Sequence, residues 1–386
     1  MKKIKKLIKL FIFVIIFPFL FLFLFLFKLR IGYLSSDKIG DLTTISNSFY
    51  LDTKMNKFNK YRVIWFKNDF ICNYFIYKNI EKYLIIINSF MIHFSYEFLK
   101  KNNFKNLIVD KNFINSNKIV QNFHLTNKFK SMISFEGFEN EIKNIEKKFD
   151  IKNKKIITFS VRSSNYHINE QGKTSDRNYS INTLSKTFFS LKKRDYNIFR
   201  INSEPLANYD VKLKGTFFDP QLDKFNVTHS YLVNKSDLFI SSPSGPIGLA
   251  LILNKPIVLI NFTPWKDLMF CNPNFTKNII FKKYRDISSK KLIKFKTVIE
   301  SKLYEKKYNE DLLKLGVELV DNDEEEIFQA VEETLFNKIY NDENEIEKNK
   351  ILNDFFNFYK NYFKTKNINL KVSNYFFKTN KNLFYL

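Results

Sequence analysis

Short, almost purely apolar runs alternate with longer polar–apolar segments along most of this chain. A strand that is apolar on both faces must be covered on both, which is the situation of a parallel sheet with crossover helices. LRIGYLS (29–35), YRVIWF (61–66), YLIIINSF (83–90) and NLIVD (106–110) form a first series of such runs, with helical segments near 69–82 and 91–102. A charged stretch, 139–155, holds a helix and a linker. A second series follows: KIITFSVR (155–162), YNIFRI (196–201), DLFISS (237–242) and PIVLIN (256–261), with helices near 180–193, 228–235 and 246–253. Further helices are predicted near 310–319, 324–338 and 344–364. The expected fold is α/β: two Rossmann-like domains facing a cleft. The predicted divisions are 29–150, 151–340 and a C-terminal helix and tail, 341–386, that packs back on the domains.

Residues 1–28 are set apart. The stretch 10–27, LFIFVIIFPFLFLFLFLF, has 18 residues without a charge, and Lys2, Lys3, Lys5, Lys6 and Lys9 precede it. As a helix it would reach ~27 Å, close to the thickness of a hydrocarbon core. No small-residue cleavage site follows, and Ala first occurs at 207. The segment therefore reads as a transmembrane or interfacial anchor in preference to a cleaved signal. Five lysines before the run against three basic residues in the next 18 favour a body outside the cytoplasm. The chemistry derived below needs a cytoplasmic donor, and the body is expected at the cytoplasmic face.

Composition excludes several classes. The 386 residues are 45% hydrophobic and 17% aromatic, too rich for a disordered chain. Two cysteines exclude a disulfide framework. Four scattered histidines offer no metal-ligand spacing, and neither a metal nor a cofactor is expected. The net charge of +24 comes mostly from Lys, in a composition rich in Phe, Lys, Asn and Ile as an AT-rich genome produces. Of the 63 basic residues 7 are Arg, leaving 63 − 7 = 56 Lys spread along the chain without a basic–aromatic module, so nucleic acid is not an expected partner. Arg is then the informative cation, and Arg162, Arg177, Arg194 and Arg200 fall within 39 residues.

Three segments can carry chemistry. In SDLFISSPSGPIGLALILNKPIVLIN (236–261) a strand ends near Ser242 and Pro246 opens a helix. Ser242, Ser244 and Gly245 then lie at the carboxyl edge of the sheet, where a helix N-terminus suits a diphosphate. A capped βα turn with no ligand is the alternative. In VRSSNYHINEQGKTSDRNYSINTL (161–184), Arg162 and Arg177 have the forked geometry to grip phosphate oxygens, with His167 and Asn178 beside them. Arg200 ends the next strand at the same edge. For each Arg a structural ion pair is the alternative, for instance Arg177 with Asp176. In SDKIGDLTTIS (36–46), Asp41 follows the first strand and is the candidate general base; a plain turn is the alternative.

The stretches KIGDLTTISNSFYLD (38–52), FKNDFICNYF (66–75), VRSSNYH…DRNYSI (161–181), IFRIN (198–202), SSPSG…LNKPIVLIN (241–261) and KVSNYFFKTNKNLF (371–384), in this order, resemble a family of bacterial glycosyltransferases marked by an RIGHL-type motif. The resemblance covers nearly all of the chain after residue 28 and implies a GT-B architecture and sugar transfer. A fainter likeness is to lipopolysaccharide heptosyltransferases, which carry a GD loop after the first strand and a D-[ST]-G-P turn before a late helix. Gly40-Asp41 and Ser244-Gly245-Pro246 match these. The nearer family has His where Asp41 stands.

Together these readings predict a membrane-anchored, metal-independent glycosyltransferase. It would take a nucleotide-sugar donor and a lipid-linked or polysaccharide acceptor. Asp41 would serve as base, and Arg162, His167, Arg177, Asn178, Arg200, Ser242, Ser244 and Gly245 would hold the donor. The alternatives are a nucleotide-sugar epimerase, a polyol-phosphate transferase of the same fold, or a non-catalytic membrane scaffold.

Overall fold

The computed structural model describes residues 2–54, 62–109, 133–162, 174–202, 209–221, 223, 226–263, 265–271, 273–337, 345–365, 368 and 370–386. The chain forms two compact units, Met1–Ser134 and Phe135–Leu386.

The first unit opens with α1 (Lys2–Leu26) and continues β1 (Leu29–Leu34), α2 (Ile39–Lys54), β2 (Arg62–Lys67), α3 (Tyr74–Glu81), β3 (Ile85–Ile86), α4 (Phe90–Lys101) and β4 (Ile108–Val109). Its four strands are parallel in the order β3-β2-β1-β4. Gly32 of β1 pairs with Trp65 of β2, and a Cβ at Gly32 would come 2.6 Å from the Trp65 ring, so only glycine fits beneath it. On one sheet face Leu24, Ile31, Phe66, Ile92, Leu99 and Ile108 form a buried cluster.

α1 contributes to that cluster from one side. Leu24 is fully buried and Phe13 nearly so, and the Phe17 ring meets Phe98 at 4.7 Å. The transmembrane expectation is corrected here. The helix ends at Leu26, and its charge-free part is 10–26. Among the described residues no helix is long and apolar enough to cross a membrane.

The second unit contains α5 (Glu139–Phe149), β5 (Lys155–Ser160), α6 (Ser185–Lys193), β6 (Tyr196–Arg200), α7 (Val227–Lys235), β7 (Leu238–Ser241), α8 (Pro246–Ile252), β8 (Ile257–Phe262) and β9 (Thr276–Phe281). Its parallel sheet runs β6-β5-β7-β8-β9. Beyond it, β10 (Lys283–Asp286) pairs antiparallel with β11 (Val317–Val320), and α9 (Phe295–Glu300) and α10 (Asn309–Leu313) lie between them in sequence. α11 (Glu324–Leu335) opens with a capping box between Asp323 and Glu326. α12 (Glu345–Phe363) and α13 (Asn374–Asn380) end the chain. The Glu333 carboxylate of α11 caps α13, accepting from Asn374 N at 2.9 Å and Ser373 Oγ at 3.0 Å.

Several elements differ from those predicted. The run 83–90 yields only Ile85–Ile86 as strand, because Ser89 caps α4 by accepting from Met91 N. The helix predicted near 310–319 stops at Leu313; Gly316, at φ +71°, turns the chain into β11. β9 was not foreseen, since polar residues interrupt its apolar run.

Candidate functional site

In an open parallel sheet, ligands bind outside the carboxyl ends of the strands where the chain order reverses. In the second unit that point lies between β5 and β7. Arg162, Ser242, Ser244 and Gly245, singled out from sequence, follow these two strands, which end in Ser160 and Ser241, not singled out. β5 ends at Ser160, whose hydroxyl is 3.4 Å from Ser244 Oγ, and Ser244 Oγ is 2.9 Å from Ser241 Oγ at the end of β7. This three-hydroxyl contact ties the SPSGP turn to both strands flanking the switch point. Gly245 precedes α8, and the N–H groups of Ile247 and Gly248 already donate to Ser244 O and Gly245 O. The turn's available donors are therefore fewer than a bare helix N-terminus would present.

Arg162 follows β5, partly buried, and its carbonyl accepts from Tyr179 N at 3.3 Å. The Tyr179 phenol donates to Ser160 O at 3.2 Å, and its complete burial, with the Asp321 charge adding, holds it un-ionised. Arg177 lies in the same loop and pairs with Asp267 at 3.5 Å, not with the neighbouring Asp176. His167 falls outside the described residues.

The loop carrying Arg177 and Asn178 is held from two sides. Lys282, just beyond β9, donates to Asp176 O at 3.0 Å and Asn178 O at 2.7 Å and pairs with Asp321 at 2.8 Å. On the other flank Glu310 accepts from Thr174 N at 2.9 Å, and Asp176 N donates to Lys307 O at 3.0 Å. Pinned in this way, Asn178 has both side-chain amide atoms buried and without a hydrogen bond inside the protein. The same holds for the hydroxyls of Ser242 and Thr263, which follow β7 and β8. Unpaired buried polar atoms also occur elsewhere, for instance at Thr187, Asn278 and Gln329; what suits polar ligand atoms here is the grouping of Asn178, Ser242 and Thr263 at one sheet edge.

Arg200 is placed differently. Its side chain is 1% exposed and its Nη1 lies 3.1 Å from both carboxylate oxygens of Asp219. Nearby His229 is buried, its Nε2 2.9 Å from Pro220 O, and burial lowers its pKa. Thr263, Lys282 and Asp219 were not singled out from sequence. Lys282 is one of 56 lysines and nothing local marks it, whereas Thr263 stands directly after a buried strand and before Pro264, a position that could have been flagged.

In the first unit the order reverses at β1, between β2 and β4. Asp41 sits there, in the first turn of α2 and partly buried. Ser35 Oγ donates to Asp37 at 2.8 Å, and the Tyr33 hydroxyl donates to Asn68. Burial raises the Tyr33 pKa, with Asp37 and Asp41 adding to the effect of burial. The Cys72 thiol is pushed up to about 12 by burial first and then by Asp37, so it carries no thiolate at neutral pH.

A surface depression of about 650 Å³ opens at the opposite, amino edge of the second sheet, beside Lys155, Tyr196, Asp237 and Lys371. It lies away from the carboxyl-edge residues above. Among the described residues no group of three or more His, Cys, Asp or Glu side chains is placed to hold a metal ion.

No family model matches the chain, and no curated protein matches it in sequence. Several solved structures are similar to it. It is similar to the glycosyl transferase family 9 protein of Veillonella parvula, with TM-score 0.47 and 12% identity over 81% of this chain and 98% of that one. It is similar to E. coli ADP-heptose LPS heptosyltransferase II, with TM-score 0.43 and 11% identity over 66% of this chain and 90% of that one. UDP-GlcNAc 2-epimerase of Neisseria meningitidis is a further similar structure, with TM-score 0.30 and 9% identity over 60% of this chain and 82% of that one.

Proposed function

We propose that this chain is a metal-independent glycosyltransferase. It takes a sugar from a nucleotide-sugar donor held by the second unit and passes it to a lipid-linked or polysaccharide acceptor. The observation that carries this reading is the set of unpaired buried polar atoms of Asn178, Ser242 and Thr263 at the carboxyl edge, with Arg162 and Arg177 on the loop after β5. A diphosphate leaving group needs charge stabilisation as its bond to the anomeric carbon breaks. Guanidinium groups and fixed hydroxyl and amide dipoles supply this without a metal. The ribose hydroxyls and the base would use the remaining amide and hydroxyl partners. The motif order quoted above supports the same assignment.

In this reading Asp41 takes the proton from the acceptor hydroxyl. The oxygen attacks the anomeric carbon, the carbon–oxygen bond to the diphosphate breaks, and a nucleoside diphosphate departs. The body works at the cytoplasmic face, where nucleotide sugars are made.

A thermal-shift series with UDP, GDP, ADP and CMP tests the donor site, because a ligand that binds only the folded state raises the midpoint. One nucleotide should stabilise the wild type. Arg177→Ala and Gly245→Val should lose that shift while keeping the wild-type circular dichroism spectrum. If no nucleotide shifts the midpoint, the transferase reading fails.

A further inference from the structure

α1 has two unlike faces. Phe13, Phe17, Leu20, Phe21 and Leu24 pack on the first unit: Phe13 meets Phe94 and Phe98, and Phe21 meets Phe104 at 5.5 Å. At 3.6 residues per turn these five lie along one side. Phe11, Val14, Phe19, Leu22, Phe25 and Leu26 lie along the other, and all are exposed, from 53% for Leu22 to 72% for Phe19. A globular protein does not ordinarily present a continuous apolar stripe of this length to water.

Basic residues outnumber acids around the stripe, with Glu97 of α4 the exposed acid among them. Residues 1–36 contain seven basic residues and no acid; Asp37 is the first. Lys28, Lys100, Lys101 and Lys105 are exposed, beside the end of α1 and at the end of α4 on which α1 packs. An apolar stripe bordered by cations is complementary to a bilayer surface with anionic headgroups. We propose that α1, docked on α4, lies along an anionic phospholipid surface as a monotopic face and does not cross the bilayer.

The docking excludes a span. Phe13 to Leu24 covers ~17 Å of helix, and the helix would have to leave the unit, or carry Lys100 and Lys101 into hydrocarbon, to thread the membrane. A monotopic helix also removes the orientation conflict. The N-terminal lysines and the body stay on one side, so the lysine count before and after the run no longer bears on the body's location. The proposal deepens the membrane part of the proposed function and stands apart from the donor site.

The test uses the full-length protein and vesicles, with no nucleotide sugar present, so its outcome is separate from that of the donor reading. Wild type should float with phosphatidylcholine vesicles containing phosphatidylglycerol, more weakly without phosphatidylglycerol, and less as salt rises. Phe19→Glu should lower partitioning on the order of tenfold or more; the site is exposed, so the fold should be unchanged. Phe19→Trp then reports depth, since native Trp65 and Trp265 are buried. Its fluorescence should be quenched most by lipids brominated near the headgroup. Strongest quenching by bromines near the chain ends would mean a span and overturn the proposal. So would a lipid-free dimer that does not float, which would assign the stripe to a second copy of the chain.

Discussion

Lys282 Nζ donates to the backbone carbonyl of Asn178 at 2.7 Å, from a side chain only 2% exposed. The lysine belongs to the segment after β9, and the asparagine belongs to a loop more than a hundred residues earlier. The ammonium therefore fixes where the loop, with Arg177 on it, stands at the carboxyl edge of the sheet.

Lys282→Met should release that loop. Two carbonyls, of Asp176 and Asn178, lose their shared donor, and Asp321 loses its cation. The expected destabilisation is about 1–3 kcal/mol. Nucleotide affinity by calorimetry, measured where the variant is folded, should fall on the order of tenfold. Gly32→Ala separates the two effects. It strains the first unit's contact with Trp65, with a cost of about 1–3 kcal/mol, and should lower Tm while leaving nucleotide affinity unchanged. Wild-type affinity in Lys282→Met would make this lysine a purely structural residue.

The alternation of apolar runs made the strands of both sheets legible, because strands buried on both faces leave continuous Ile, Val and Phe. β9 was not legible: in TKNIIF polar residues break the run, and the strand is recognised only by its pairing with β8. In the candidate site, the residues marked from sequence are of a rare type, as Arg162 and Arg177 are, or follow a strand, as Ser242 and Ser244 do. Asn178 was found by its neighbour Arg177. Lys282 and Asp219 were not legible, since their importance comes from partners 104 and 19 residues away and not from their own surroundings in sequence. Arg200 shows the converse. Its rarity marked it, and its position at a strand end was read correctly; its Nη1 pairs with Asp219, a partner the sequence did not show.

Asp219→Asn tests that last point. Arg200 is almost fully buried, and a charge-assisted hydrogen bond of this kind contributes about 1.5–3 kcal/mol. The variant should therefore unfold at lower denaturant, with an unchanged denaturant slope. Nucleotide affinity in the folded protein should stay close to wild type. A large loss of affinity at unchanged stability would return Arg200 to the donor site.

His229 predicts a pH dependence. Its ring is buried, and burial lowers its pKa below the value of about 6.5 expected in the unfolded chain. Between the two values the unfolded state binds the extra proton. Stability from the neutral ring is therefore fully present above pH ~6.5 and is lost as pH falls towards the folded value. The Tm of the wild type should drop between pH 7.5 and pH 5. In His229→Gln, whose amide can still donate to Pro220 O, the slope over that window should flatten. An equal slope in both proteins would assign the acid sensitivity to other groups.

Asp41 is where the sequence reading and the topology of the first unit meet. β1 is the strand at which chain order reverses, and α2 begins five residues after it, at Ile39, with Asp41 in its first turn. The helix N-terminus favours a charged carboxylate there by about 0.3–1 kcal/mol, so Asp41→Asn should cost little stability. A positioned general base contributes ~10²–10⁴-fold to turnover, and Asn cannot accept the proton. Asp41→Asn should therefore lose turnover by that factor, read as nucleoside diphosphate release. Affinity for the nucleotide, held by the other unit, should be retained. Asp37→Asn is the control: its carboxylate is nearby but already accepts from Ser35 Oγ at 2.8 Å, and its loss should reduce turnover less. If Asp37→Asn is the inactive variant and Asp41→Asn turns over normally, the base is Asp37 and Asp41 is a helix-start residue.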